Sequence, residues 1–318
     1  MEWLLAGLGL TILLLAGDAL VRGAVNVSLR LGVPALIVSL TIVAFGTSAP
    51  ELLIAISAAL LDAPGIALGN VVGSNTANIL LVLGLPAMLV ALHTSDHDTK
   101  SNFLHMISAS VLFIALAMFG TFTWISALIL LAGLALMLFH SAHAAHSHRQ
   151  DAKADVVEVD PENLEGADPD MPWWKIWVFL VLGLVGLPLG ADILVDSARV
   201  IANRFGVSET VIGLTLVAVG TSLPELATTT MAALRRQADV AIGNVIGSNM
   251  FNLLAIIGVA ALITPIQVED TFLRLDLWVM LGSSLLLIPF IFFGWNITRI
   301  WGVVLTSLYV LYVVFLVS

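Results

Sequence analysis

The stretch Ala44-Phe45-Gly46-Thr47-Ser48-Ala49-Pro50-Glu51 returns as Ala218-Val219-Gly220-Thr221-Ser222-Leu223-Pro224-Glu225, and each copy is followed by Gly-Asn-Val-x-Gly-Ser-Asn-x-x-Asn, from Gly69 to Asn78 and from Gly243 to Asn252. Shifted by 174 positions, residues 44–84 align with 218–258 without a gap and share 20 of 41 residues. Apolar helices share Leu, Ala and Val by composition alone. The matched polar residues lie outside that background: Thr47, Ser48, Glu51, Asn70, Ser74, Asn75 and Asn78 recur as Thr221, Ser222, Glu225, Asn244, Ser248, Asn249 and Asn252. Both copies sit inside long apolar runs. A carboxylate within a membrane span is costly to place and marks an ion or substrate path, so Glu51 and Glu225 define the centre of a transport site.

Hydrophobic residues make up 59% of the 318 positions and charged residues 11%, with a mean hydropathy of +1.06, far from the composition of a soluble domain. A bilayer core of about 30 Å needs about 20 apolar residues per helix. Ten stretches qualify, at 3–29, 34–61, 66–91, 103–120, 123–141, 173–203, 208–234, 239–262, 273–293 and 297–317. The expected fold is an all-α membrane protein of ten transmembrane helices in two five-helix repeats, 1–141 and 173–318, joined by a polar linker at 142–172. Five is odd, so the second repeat must cross the bilayer in the opposite sense: the repeats are inverted. The first apolar run, from Trp3, has no basic n-region or clear cleavage site and reads as a retained span.

Of the twelve basic residues, Arg22, Arg30, Lys100, Arg149, Lys153, Lys175, Arg235, Arg236 and Arg299 fall on one side, and Arg199, Arg204 and Arg274 on the other. Basic loops stay cytoplasmic, which puts both termini outside the cell (inner) membrane and the linker inside. The net charge of -10 comes largely from residues 151–170 and does not suggest a nucleic-acid partner. That acidic stretch is expected to be a flexible connection. It is preceded by His140, His143, His146 and His148, a tract that could bind zinc, or whose acidic neighbours could collect calcium as a regulatory site, or that simply forms a wet helix end. The absence of cysteine excludes disulfides and thiolate chemistry. No Gly-x-x-x-x-Gly-Lys loop occurs, which argues against an ATP-driven pump, and no cofactor is implied.

The chemistry follows from backbone and oxygen. Pro50 cannot donate an amide to the Gly46 carbonyl and Pro224 cannot donate one to Gly220, so each helix is expected to kink there. Carbonyls freed within a bilayer must be packed in protein or line a cavity, and a desolvated cation suits them. A second weak point is expected at Gly73-Ser74-Asn75 and Gly247-Ser248-Asn249. Every donor atom in reach is oxygen, which fits calcium or sodium better than a softer metal. Two glutamates sum to a charge of -2, which one calcium neutralises. Without a cation, like charges about 4 Å apart repel by roughly 4 kcal/mol at an effective dielectric of about 20. One ion set then leaves only as another arrives, which is antiport.

At these residues the chain resembles the cation/calcium exchanger superfamily, and most closely its ten-span prokaryotic sodium/calcium exchangers. The resemblance implies calcium and sodium as transported ions, with spans one and six sliding across a core of spans two, three, seven and eight. It implies a calcium site built from the carboxylates of Glu51 and Glu225 and the carbonyls of Thr47 and Thr221. The flanking sodium sites would draw on the carbonyls of Ala44 and Ala218 and on Ser48, Ser222, Ser74 and Ser248, with Asn78 and Asn252 beside them. Potassium-dependent relatives, and some prokaryotic ones, carry Asp at the position of Asn252; Asn252 removes a third acid that would need a proton or another cation, so potassium independence is expected. It implies three sodiums per calcium, and a monomer sufficient for transport. Asp18 and Asp192 also match across the repeats and read as paired or interfacial charges.

The nearest rival is a proton/calcium antiporter, in which the two glutamates take protons instead of sodium. A passive channel would normally draw its filter from several subunits. An intramembrane hydrolase would need an acid, a base and a nucleophile in unequal surroundings, which the two-fold sameness disfavours.

Overall fold

The structure is a computed structural model describing residues 1–92, 97–154, 167–168, 170–206 and 218–317. The first half comprises α1 (Glu2–Leu31), α2 (Ala35–Thr47), α3 (Ala49–Leu60), α4 (Pro64–Leu89), α5 (His97–Ala117) and α6 (Trp124–Ala154). The second comprises α7 (Trp173–Arg204), α8 (Ala218–Thr221), α9 (Leu223–Leu234), α10 (Ala238–Ile263), α11 (Phe272–Phe293) and α12 (Arg299–Val317). Among the described residues, eight helices are long and apolar enough to cross a membrane singly. The bent pair α2 and α3 makes a ninth. The tenth expected span, 208–234, is seen from Ala218 onward as α8 and α9, its earlier part lying outside the described residues.

Two short backbone pairings establish the inversion. Strand β1 (Thr121–Phe122), between α5 and α6, runs antiparallel to β2 (Ile266–Gln267), between α10 and α11. Leu92, between α4 and α5, bridges Ile297, between α11 and α12. By the repeat offset, the α4–α5 connection corresponds to α10–α11, and α5–α6 to α11–α12. Each pairing joins a connection to the one that is not its counterpart, and α5 separates the two pairings by a whole span. Corresponding connections therefore lie on opposite faces.

Helices α1 and α7 pack backbone against backbone. A β-carbon at Gly9 would come within 2.7 Å of the Leu194 nitrogen, and one at Gly190 within 2.8 Å of the Leu13 nitrogen. Lipid tails are as apolar as Leu, so close packing through small residues replaces the hydrophobic effect as the force between membrane helices.

Helix α6 continues past residue 141 to Ala154, so the start of the expected flexible connection is helical. Near its far end, the Arg30 guanidinium donates to the Met171 carbonyl at 3.0 and 2.7 Å, and the Asp168 amide to Asn26 Oδ1 at 2.9 Å. His140 stacks on His105 with ring centroids 5.4 Å apart, and His143 on Phe139 at 6.3 Å. The side chains of His146 and His148 lie outside the described residues. Among the described residues no three His, Cys, Asp or Glu side chains converge on a metal position.

Candidate cation site

Each doubled motif breaks its helix at the serine. Ser48 sits at φ -84°, ψ 6°, and Ser222 at φ -88°, ψ 5°. The break bends α2 against α3 by 44°. Pro50 and Pro224 then occupy the first turn of α3 and α9, where a missing N–H costs nothing. Glu51 and Glu225 follow in the same turn, where the helix dipole favours a carboxylate. Both are fully buried.

The two carboxylates are near enough to interact electrostatically. The Ser48 hydroxyl of the first half donates to Glu225 Oε1 of the second at 3.3 Å. Both Glu51 carboxylate oxygens, Glu225 Oε2, Ser222 Oγ and Asn78 Oδ1 are buried without a hydrogen-bond partner among the described residues, as are both amide atoms of Asn252. A buried polar group left unmade costs about 1–3 kcal/mol, so so many acceptor oxygens in one core call for a shared partner. The oxygen-only donor set fits calcium or sodium as substrate.

Of the residues the sequence singles out, Glu51, Glu225, Thr47, Ser48, Ser222, Ala44, Ser74, Ser248, Asn78 and Asn252 are buried, and Thr221 is half-buried. Ala218 opens α8, its side chain lying outside the described residues. The Thr47 hydroxyl donates to the Ala44 carbonyl at 3.3 Å and lies 3.4 Å from Ser248 Oγ, which ties the first break to α10.

One expectation needs correction. Gly73-Ser74-Asn75 and Gly247-Ser248-Asn249 lie within regular helix, from Pro64 to Ala77 and from Ala238 to Met250. The irregular turns come slightly later, as matched π-helical segments at Asn78–Val82 and Phe251–Ile256. Glycine costs a helix only about 1 kcal/mol and does not break it without proline, whereas π turns often mark functional positions. Sequence reasoning also left Asn70, Asn244, Asn75 and Asn249 off its site, although all four recur in the repeat. Asn70 donates to the Glu51 carbonyl at 3.3 Å and Asn244 to the Glu225 carbonyl at 3.5 Å, so each helps hold the first turn that carries a carboxylate.

This architecture can be set beside known proteins. The family model described as sodium/calcium exchanger protein matches residues 1–142 and 175–318. The chain belongs to the sodium/calcium exchanger family. It is 35% identical to the sodium/calcium exchanger MaX1 of Methanosarcina acetivorans, over 99% of this chain and 98% of that one. It is also 35% identical to the putative antiporter CaxA of Alkalimonas amylolytica, over 88% of this chain and 86% of the relative. Among solved structures it is similar to the sodium-calcium exchanger NCX_Mj soaked with sodium and strontium, with a TM-score of 0.82 at 30% identity, covering 98% of this chain and 97% of that one.

In this member of the exchanger family the two halves are pinned at the pseudo-dyad by amides. Asn75 donates to the Asn249 carbonyl at 3.1 Å and Asn249 returns the bond to the Asn75 carbonyl at 3.4 Å. Asn78 donates to Asn249 Oδ1 at 3.0 Å, whereas its counterpart Asn252 has no hydrogen-bond partner among the described residues. The pin is therefore lopsided. Asn249→Ala removes three side-chain bonds, to the Asn75 carbonyl, the Asn78 amide and, at 3.7 Å, Met106 Sδ, and orphans the buried Asn78 amide, so it is expected to cost about 1–3 kcal/mol more than Asn75→Ala, which removes one. Thermal unfolding of the two purified variants in detergent checks the order.

A crevice of about 350 Å³ between α1, the end of α4, α7 and α9 is lined by leucines, Met88, Ala227 and Thr230. No carboxylate lines it.

Proposed function

We propose that the protein exchanges calcium for sodium by alternating access, with Glu51 and Glu225 clasping the calcium between the breaks of α2–α3 and α8–α9. The single observation that carries this reading is the pair of buried carboxylates, one from each inverted half and within electrostatic reach of each other, among oxygens left without a hydrogen-bond donor among the described residues. Thr47 and Thr221 offer carbonyls to calcium. Ala44, Ala218, Ser48, Ser222, Ser74 and Ser248 serve sodium, and Asn252 stands free to join them. The repeats are taken as 1–141 and 173–318, with both termini outside and 142–172 cytoplasmic in the cell membrane.

Holding a ten-thousand-fold calcium gradient needs about 5.5 kcal/mol at about 1.4 kcal/mol per decade. Each net charge moved contributes about 2.3 kcal/mol per 100 mV, so more than two sodiums per calcium makes export effective and electrogenic. The hydroxyls and carbonyls beside the glutamates favour sodium over protons as the coupling ion.

In proteoliposomes at clamped pH and voltage, an outward sodium gradient is expected to drive calcium uptake. Loss of that uptake, with recovery under a proton gradient, assigns the coupling to protons. A second expected result concerns Asn252. Because it adds no third carboxylate, calcium flux is expected to be unchanged when potassium is omitted, and a requirement for potassium overturns this part of the reading.

A further inference from the structure

The two halves correspond in sequence but sit differently, and an ion pair marks the difference. By the repeat offset, Gly17 and Asp18 on α1 correspond to Ala191 and Asp192 on α7, while Ala227 and Arg235 at α9 correspond to Leu53 and Leu61 at α3. Helix α1 lies tight against α9: a β-carbon at Gly17 would meet the Ala227 carbonyl at 3.0 Å, and Ala227 is 6% exposed. One residue further on, Asp18 binds Arg235 through Oδ1 and Arg22 through Oδ2, the latter at 3.0 Å. The corresponding face of α3 is uncovered, with Leu53 67% exposed. Where Arg235 would have its counterpart stands Leu61, followed by the acidic Asp62.

We infer that Asp18 and Arg235 form a one-sided latch, an ion pair that holds α1 closed on α9 and has no equivalent for the opposite state, in which α7 closes on α3. This rests on the alternating-access reading. In the opposite state Asp192 would approach a leucine and an aspartate, so closure there gains no charge pairing. The Asp18 and Arg235 side chains are only 18% and 14% exposed, and such a pair is screened less than a surface bridge. Breaking it removes a charge pair that ties α1 to α9. The latch therefore biases which face the ion site addresses, without touching an ion. Asp18 and Arg235 are positioning residues.

The chain contains no cysteine, so a single introduced pair reports the opposite state. Leu53→Cys with Ala191→Cys recreates, in the other half, the contact that Gly17 and Ala227 make here. Oxidative cross-linking of this pair in proteoliposomes is expected to be slow in the otherwise unaltered protein. It is expected to be about ten-fold faster with Asp18→Asn or with Arg235→Gln, a factor equivalent to about 1.4 kcal/mol. The charge swap Asp18→Arg with Arg235→Asp is expected to return the slow rate, which a purely structural defect would not do. If Asp18→Asn fails to fold, Arg235→Gln and the swap carry the test. Cross-linking that responds to calcium and sodium but not to these substitutions overturns the latch alone. No cross-linking under any ion condition overturns it together with the alternating-access reading.

Discussion

Glu51→Gln and Glu225→Gln are each expected to abolish sodium-dependent calcium flux in proteoliposomes while leaving the protein folded. The substitution keeps the shape of a fully buried side chain and removes one of the two negative charges at the site. For a divalent ion about 4 Å from the lost charge, an effective dielectric of about 20 gives a loss of the order of several kcal/mol, or three decades or more in calcium affinity. Folding has less to lose. A neutral amide is cheaper to bury than a carboxylate, so without ions the variants are expected to unfold at or above the temperature of the parent. In the parent, saturating calcium is expected to raise the unfolding temperature through linkage, and in the variants that rise is expected to vanish. A variant that still carries calcium within a few-fold of the parent rate would remove the carboxylate pair from the centre of the mechanism.

Much of the fold was legible because the bilayer simplifies the physics. Backbone groups in hydrocarbon must be satisfied within each helix, so span count follows from apolar length, and the parity of five spans sets the inversion that the Leu92–Ile297 and β1–β2 pairings display. The breaks at Ser48 and Ser222 were legible because proline removes a donor at a fixed place. The π turns that begin at Asn78 and Phe251 were not. No residue type forces a helix to widen by one residue, and the turn depends on packing from the other half of the chain. The roles of Asn75 and Asn249 were hidden for a related reason. Their recurrence was visible, but a bond between the repeats requires knowing that the two copies meet at their own dyad. The difference between Asn78 and Asn252 lies deeper still, since identical residues at matched positions diverge through surroundings that the two halves do not share.

Gly247→Ala is expected to disable the site from a position that offers no ligand atom of its own side chain. Helix α10 runs so close to α2 at this glycine that an added β-carbon would lie 2.4 Å from the Leu40 carbonyl oxygen and 2.6 Å from the Ala44 β-carbon. Neither neighbour is the far end of a flexible side chain, so the helices themselves must part. The next residue, Ser248, lies 3.4 Å from the Thr47 hydroxyl, and Asn249 after it carries the bonds to Asn75 and Asn78. Separating α10 from α2 therefore spreads both the α2 break and the central pin. Overpacking of this kind costs about 1–3 kcal/mol in stability, and a misplacement of the order of 1 Å in an oxygen cage is expected to lower calcium affinity at least ten-fold. Gly282→Ala on α11 supplies the control, since no described atom lies within 4 Å of its added carbon. There the gain in helix propensity, up to about 1 kcal/mol, is expected to leave stability unchanged or slightly raised and calcium binding intact. Thermal unfolding with and without calcium reads both effects. Should Gly247→Ala behave like Gly282→Ala, the close approach of α10 to α2 is not what holds the site in register.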